Sequence, residues 1–192
     1  MNFLAHLYLS YNNEPIMVGN FIADMVRGRQ IEKFEDKILR GILIHRAIDA
    51  YTDSHPVVEL SKARLRSRYR KYAAVLVDLY YDHFLAANWN NYSQVPLNTF
   101  VWNSYKIITR HYIILPPRAK RILPAMIAAN WLKSYANQEQ MRTIFEQMAL
   151  RTTFESGMEH ALTELVEFYP LFKREFEEFF PDLEDFVRKQ FF

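Results

Sequence analysis

The stretch from Ile44 to Asp53 reads Ile-His-Arg-Ala-Ile-Asp-Ala-Tyr-Thr-Asp and places His45 and Asp49 four residues apart. On a helix, this spacing stacks the two side chains on one face. The same face, followed at helical steps, carries mostly apolar or small residues: Ile38, Gly41, Ile42, Ile48 and Thr52. An imidazole and a carboxylate in such a stripe are costly to bury unless a hydrogen bond, an opposite charge or a metal ion satisfies them. The identity of that partner is the functional question that this stretch poses.

The composition is that of a folded protein without a strong overall charge. The chain has 192 residues, half of them hydrophobic, which is enough for a sizeable core in a single domain. Its 24 basic and 22 acidic residues give a net charge of +2, so an anionic partner would have to be bound by a local patch. The absence of cysteine excludes disulfides, thiolate nucleophiles and thiolate zinc sites. The chemistry that remains is that of imidazole, carboxylate and hydroxyl groups.

The sequence carries no convincing targeting or membrane segment. The first residues lack the basic and apolar regions of a secretory signal. No segment approaches the roughly 20 apolar residues of a membrane span. We therefore expect a cytoplasmic protein without membrane insertion.

Helical periodicity runs through the chain, and strand-type alternation is absent, which predicts an all-α fold in one multi-helix domain. Proline and polar breaks predict helices at about 2–11, 15–27, 34–53, 56–67, 70–90, 96–115, 117–135 and 138–150, with a kink at Pro124. Farther along, phenylalanines are spaced to form apolar helical faces between breaks at Pro170 and Pro181. They are Phe168, Phe172, Phe176, Phe179 and Phe186. We expect them to pack in the core rather than to form a partner surface.

Seven imidazoles and carboxylates fall on the early predicted helices, and several interrupt apolar faces. They are His6, Asp24, His45, Asp49, Asp78, Asp82 and His83. A single histidine on an apolar face, such as His6, is more often a hydrogen-bonded core residue, but the combination favours a divalent metal site. Nitrogen and oxygen ligands without sulfur suit manganese, iron or zinc, and the share of carboxylates keeps magnesium possible.

Two pairs of residues in this part of the chain are interpreted differently from each other. Asp78 and Asp82 lie four residues apart and would resist burial together unless a cation lies between or beside them. Asp53 and His55 are explained by the break before Pro56, where Asp53 or Ser54 is expected to cap the next helix.

One dense run of basic residues stands out. Six of the ten residues from 62 to 71 are basic, without an interrupting acid: Lys62, Arg64, Arg66, Arg68, Arg70 and Lys71. Such a run is either a solvated helix surface or a patch that attracts an acidic protein or a phosphate. Tyr69 and Tyr72 would suit RNA stacking, but the near-neutral chain and the lack of a binding module argue against nucleic acid.

Four blocks in the first 90 residues, in this order, resemble the acyl carrier protein phosphodiesterases. They are Met-Asn-Phe-Leu-Ala-His-Leu at 1–7, Gly-Asn-Phe-Ile-Ala-Asp at 19–24, His-Arg-Ala-Ile-Asp at 45–49 with Thr52 and Asp53, and the segment 78–89 with Tyr-Asp-His-Phe-Leu at 81–85. Tyr81 stands where a tryptophan is expected. The family in turn resembles the all-helical, metal-dependent His-Asp domain phosphohydrolases, although the His-Asp signature of that group is reversed here in Asp82-His83.

The resemblance implies hydrolysis of the phosphodiester that joins 4'-phosphopantetheine to a serine of acyl carrier protein, a reaction of fatty acid and lipid metabolism, with manganese as the metal. It further implies His6, Asp24, His45 and Asp82 as metal ligands and Asp49, Asp78 and His83 as orienting or proton-carrying residues. Arg27 and Arg46 are expected to bind the phosphate. The carrier protein is acidic, so Arg64, Arg66, Arg68 and Arg70 are expected to bind or steer it.

Two other functions stay open on the sequence. One alternative is a phosphohydrolase that acts on nucleotides or other small phosphodiesters. The chain would also be consistent with a non-catalytic helical adaptor that binds acidic proteins, in which the inward polar residues form a structural network. The sequence leaves the oligomeric state open.

Overall fold

The computed structural model describes residues 1–192, and every regular element in it is helical, which confirms the all-α prediction. Eleven α-helices follow one another: α1 (Phe3–Tyr8), α2 (Glu14–Ile22), α3 (Asp36–Ser54), α4 (Pro56–Tyr69), α5 (Ala73–Ala87), α6 (Leu97–Arg110), α7 (Pro117–Ala128), α8 (Trp131–Ser134), α9 (Gln138–Ala149), α10 (Ala161–Glu167) and α11 (Tyr169–Phe191). Short 3-10 turns join several of them, including Ala23–Met25 and Gly28–Lys33 after α2 and Tyr112–Ile114 after α6. None of the helices is both long enough and apolar enough to cross a bilayer.

Helix α3 turns the predicted apolar face towards the core. Ile38, Ile42 and Ile48 are buried on this face, and so are His45 and Thr52. The hydroxyl of Thr52 is satisfied within the helix, because it donates a hydrogen bond to the carbonyl of Ile48 at 2.8 Å. His45 contacts Asp49 within the same helix, and its other polar contact, with Asp24, comes from another element.

Helices α2 and α3 approach each other through two glycines. A Cβ atom on Gly19 would lie 2.3 Å from the carbonyl oxygen of Ile38, and one on Gly41 would lie 2.4 Å from that of Ile16. Both distances are far below van der Waals contact, so only hydrogen fits at these positions. The close approach brings the end of α2, and with it Asp24, to the His45 turn of α3.

The junction between α3 and α4 differs from the prediction in its cap. Helix α3 extends through Ser54, and His55 is the N-cap of α4, because its imidazole accepts a hydrogen bond from the N–H of Val57 at 3.3 Å. The prediction of Asp53 or Ser54 as the cap is therefore wrong. The residue before Pro56 is pushed out of the helical region, and that residue is His55.

Helix α11 carries the aromatic core. Three of the predicted phenylalanines are fully buried: Phe172, Phe176 and Phe179. The predicted break at Pro181 is wrong, because the helix continues to Phe191. A proline inside a helix costs about 3 kcal/mol through its lost N–H and its clash with the preceding turn. Leu183 and Val187 beyond it are fully buried, and their packing offsets this cost.

Several other helices are shorter than predicted, including α1 and α5. Helix α2 ends at Ile22, so Asp24 lies on the following 3-10 turn, and α6 ends at Arg110. The segment predicted as one helix over 117–135 is divided, because Asn130 adopts the left-handed conformation with φ of 45°. Asparagine tolerates this conformation better than most residues. Pro124 lies inside α7, which continues past it to Ala128.

We predict that Gly41→Ala destabilises the protein by about 2 kcal/mol or more, although alanine has a helix propensity about 1 kcal/mol better than glycine. The added methyl group meets the backbone of Ile16, which has no flexible end that yields. Urea unfolding followed by circular dichroism measures the change. Ala50→Gly on the exposed face of α3 is the control and should lose only the propensity difference of about 1 kcal/mol. A stabilised Gly41→Ala protein would contradict the close approach.

Candidate metal centre

Two imidazoles and a carboxylate meet between α1 and α3. His45 and Asp49 stand one turn apart on α3, and His6 projects from α1. The Nε2 atom of His6 lies 3.1 Å from Oδ1 of Asp49, and the Nε2 atom of His45 lies 3.1 Å from Oδ2. One carboxylate thus bridges two rings, and we call these three residues the His-His-Asp cluster.

The two rings of the cluster are stacked and buried. Their centroids are 3.8 Å apart with an interplanar angle of 16°, and the side chains of His6 and His45 are 2% and 7% exposed. The Nδ1 atom of each ring is buried and has no protein partner. Both rings therefore rely on Nε2 for all their polar contacts within the protein, an unfavourable state for buried polar groups unless a ligand adds to it.

Asp24 extends the cluster towards the surface. It lies on the 3-10 turn after α2, and its Oδ1 atom is 3.2 Å from Nε2 of His45. Its side chain is 73% exposed, against 37% for Asp49. The cluster is therefore open to solvent on the Asp24 side and closed on the His6 side.

The protonation of the cluster follows from burial and from these contacts. Burial and the neighbouring His45 lower the pKa of His6 to about 4. Burial also opposes a charge on His45, but hydrogen bonds to Asp24 and Asp49 outweigh it and raise the pKa of His45 to about 9. At Asp49 burial is outweighed in the same way, because hydrogen bonds from both imidazoles hold the pKa of this carboxyl well below its usual range. At neutral pH and without a metal, one imidazolium is thus held between carboxylates.

The arrangement fits a divalent metal ion. The ligand atoms of the cluster all lie within 4.8 Å of one another. Neighbouring ligands of an octahedral ion with bonds of about 2.1 Å are about 3 Å apart, which is close to the 3.1 Å and 3.2 Å separations seen here. Imidazole and carboxylate together form a ligand set for first-row metals such as manganese, iron and zinc. The cluster is thus a possible metal site.

Asp82, predicted as a ligand, lies instead beneath α1. Its carboxylate accepts hydrogen bonds from the N–H groups of Leu4 at 2.7 Å, Asn2 at 3.2 Å and Ala5 at 3.3 Å. Burial raises the pKa of Asp82 to about 7, against the effect of the Met1 amine and of these amides. Its partners are thus the free backbone donors at the start of α1, the helix that carries His6.

The cation expected beside Asp78 and Asp82 is the α-amino group of Met1. This amine lies 2.9 Å from Oδ1 of Asp78 and 3.6 Å from Oδ1 of Asp49. Burial disfavours its charge, but the carboxylates raise its pKa to about 10. Burial raises the pKa of Asp78, and the amine acts in the opposite direction. Asp78 therefore adjoins the cluster through a shared cation.

His83 does not join the other predicted site residues. Its Nδ1 atom lies 2.7 Å from the carbonyl oxygen of Tyr135, and its Nε2 atom lies 3.2 Å from the hydroxyl of Tyr169. Burial lowers the pKa of His83 and favours its neutral form. Both ring nitrogens are occupied by packing partners.

The sequence left open whether the basic run at 62–71 is a solvated surface or a free patch, and in the structure it is largely neutralised by carboxylates of the same chain. Lys62 pairs with Asp53 at 2.6 Å, and Arg64 makes a bidentate pair with buried Glu175 at 2.8 Å. Arg66 pairs with Glu59, and Arg68 pairs with Glu164. Only Arg70 and Lys71 have no carboxylate partner. Binding of the substrate by Arg64, Arg66 and Arg68 would therefore require breaking existing ion pairs.

Arg27 and Arg46 are both available for an anion. Both side chains are exposed and form no ion pair. Arg46 follows His45 on α3, and Arg27 lies three residues after Asp24.

Comparison with known proteins gives a consistent result over nearly the whole chain. Residues 1–183 match the family model described as acyl carrier protein phosphodiesterase. A protein of Photorhabdus laumondii named acyl carrier protein phosphodiesterase is 30% identical over 184 residues, covering 94% of this chain and 92% of that protein. A protein of Escherichia coli with the same name is 31% identical over 182 residues, 94% of each chain. No solved structure matches the chain.

The raised pKa of His45 predicts how the stability of the metal-free protein depends on pH. The folded state holds the proton more tightly than the unfolded state, so this contribution is complete below the ordinary pKa of 6.5 and is lost as the pH rises towards 9. Between pH 6.5 and 8 we expect a loss of about 1 to 2 kcal/mol in the free energy of unfolding. Urea unfolding in the presence of a chelator measures it. His45→Gln should lose less stability over this interval, because only the raised pKa values of Asp82 and the Met1 amine still act there. An equal slope in both proteins would contradict the assignment.

Proposed function

Because the chain belongs to the acyl carrier protein phosphodiesterase family, we propose that it hydrolyses the phosphodiester between 4'-phosphopantetheine and a serine of acyl carrier protein, with a divalent metal. The observation that carries the proposal is the His-His-Asp cluster, which joins two of the sequence blocks shared with the family. The products are the apo carrier protein and free 4'-phosphopantetheine. This activity places the protein in lipid metabolism and, by the location of that process, in the cytoplasm.

We assign the metal to His6, His45 and Asp49, with Asp24 as a further ligand on the exposed side, and we name Mn²⁺ as the ion. Relative to the sequence prediction, Asp49 replaces Asp82 among the ligands. Asp49 contacts both imidazoles, whereas Asp82 is occupied by the amides of α1. In this assignment Asp82 positions His6 by fixing the helix that carries it.

The remaining residues are assigned to phosphate binding and proton transfer. A divalent metal, when bound, supplies a water of lowered pKa and shields the phosphate charge. We assign phosphate binding to Arg46 and Arg27, whose exposed guanidinium groups form no ion pair and which lie close in sequence to His45 and Asp24. Asp78 is the carboxyl group placed to return a proton to the departing serine oxygen, since burial raises its pKa and it adjoins Asp49 through the Met1 amine. We assign His83 a packing role, because both of its ring nitrogens have partners outside the metal centre.

The first test compares His45→Ala with His160→Ala. The His160 side chain is exposed and lies outside the cluster, so it is a matched control for the loss of one imidazole. Incubation of holo acyl carrier protein with Mn²⁺ and the parent should remove the phosphopantetheine mass, as measured by intact-protein mass spectrometry. We expect His45→Ala to lose more than about 100-fold in rate, because ligand loss exceeds the usual cost of losing an outer partner, and His160→Ala to match the parent.

The outcomes of this test separate the functions considered. An unchanged carrier protein with every metal tried would reject the proposed reaction. Turnover of a nucleotide diester but not of holo carrier protein would favour the small-substrate hydrolase. Equal metal content in the parent and in a folded His45→Ala protein would favour the non-catalytic adaptor.

A second test separates the ligand Asp49 from the support Asp82. Asp49→Asn should lose bound metal and activity, because the carboxylate that contacts both imidazoles is removed. Asp82→Asn should lose about 1 to 3 kcal/mol of stability, because the charged acceptor of three buried amides is replaced, and should retain metal when folded. Metal content by mass spectrometry and thermal unfolding give the two readouts. Loss of metal from folded Asp82→Asn with metal retained in Asp49→Asn would reverse the assignment.

A further inference from the structure

A large cleft lies beside the candidate metal centre. Its volume is about 980 Å³, and it lies between the segment 25–38 and the corner formed by the end of α6 and the start of α7. Its floor is apolar, since Met25, Val26 and Ile38 line it and are buried. At its rim the apolar side chains of Ile113 and Ile114 are exposed, Ile113 by 88%. Exposed aliphatic groups at the edge of a cleft are typical of a surface that another molecule covers.

The walls of the cleft are cationic, and most of the cations are free. Five basic side chains line it, against a single carboxylate, that of Glu35. Arg110 pairs with Glu14 at 2.6 Å. The other four form no ion pair with any carboxylate of the chain: Arg27, Lys33, Arg118 and Arg121. In the basic run at 62–71, by contrast, carboxylates of the same chain occupy four of the six charges, so the cleft brings together more free cations than that run does.

Residues that line the cleft are close along the chain to the exposed side of the metal centre. Met25, Val26 and Arg27 directly follow Asp24 along the chain. On the other wall, Ile38 precedes His45 by seven residues of α3, which is about 10 Å along the helix. A molecule seated in the cleft would therefore lie beside Asp24, the most exposed side chain of the centre.

We propose that this cleft docks the protein part of the substrate, through a surface of acyl carrier protein that presents carboxylates around aliphatic side chains. The identity of the partner rests on the proposed function, and the chemistry of the partner's surface is inferred from the residues that line the cleft. Free cations on the walls match carboxylates, and the apolar floor and rim match aliphatic side chains. Exposed aliphatic side chains line the rim, and the volume is at the upper limit of small-molecule sites, which favours a protein surface over the phosphopantetheine group alone.

The test reverses two charges on one wall and, as a matched control, two charges outside both the cleft and the basic run. Arg118→Glu/Arg121→Glu changes the cleft, and Lys133→Glu/Arg174→Glu changes the net charge equally at exposed, unpaired cations outside it. Binding of fluorescently labelled apo acyl carrier protein is measured by anisotropy at low and high salt. We expect the cleft variant to bind at least about tenfold more weakly and to lose much of the salt dependence. The control should stay within about twofold of the parent. Arg27→Glu/Lys33→Glu on the opposite wall should repeat the loss.

Apo carrier protein has no scissile bond, so this measurement is independent of catalysis. Equal affinity of the parent and both cleft variants, or a larger loss in the control, would overturn the docking proposal while hydrolysis by the parent still stood. Salt-dependent binding that the cleft variants lose, in a protein that hydrolyses nothing, would support docking and reject the proposed reaction. Binding of free 4'-phosphopantetheine but not of apo carrier protein would assign the cleft to the prosthetic group and overturn the proposal.

Discussion

The carboxylate of Asp49 between two buried, stacked imidazoles is the contact on which the amino-terminal half of the structure depends. With ring centroids 3.8 Å apart in a buried site, the two imidazoles are too close for both to be positively charged. Only His45 is therefore an imidazolium, and it lies between the carboxylates of Asp24 and Asp49. Holding the two rings there requires α1 and α3 at fixed positions. Two features provide this: the glycine contact that seats α2 on α3, and the carboxylate of Asp82 that fixes the start of α1.

The helices and the inward face of α3 could be predicted because their signals are local. Apolar residues at helical spacing identify the buried face of α3, and His45 interrupts that face in the structure as it does in the sequence. Helix ends were predicted less well, because tertiary packing decides them. Pro181 is a strong local signal for a break, yet the burial of Leu183 and Val187 beyond it keeps α11 continuous.

The charges show most clearly why the rest could not be predicted. The density of basic residues at 62–71 left a free basic patch open as one alternative. The acids that neutralise Arg64 and Arg68 are Glu175 and Glu164, which lie about a hundred residues away in the sequence. The free cations of the cleft are dispersed over distant segments, and no local run marks them. The same limit applies to Asp49 and Asp82. Helical spacing places both near the core, but only the fold decides which one meets imidazoles and which one meets backbone amides.

The exposed fractions of the side chains in the metal centre show from which side a substrate can approach. The exposed fraction of the side chain falls from 73% at Asp24 to 37% at Asp49, 7% at His45 and 2% at His6. Helix α1 closes the His6 end of the cluster, and Asp82 is buried beneath that helix. A reacting phosphate therefore reaches the cluster from its exposed side, that of Asp24 and Asp49. A phosphodiester carried at the surface of a partner, with its attachment point near the cleft, satisfies this geometry without opening the core.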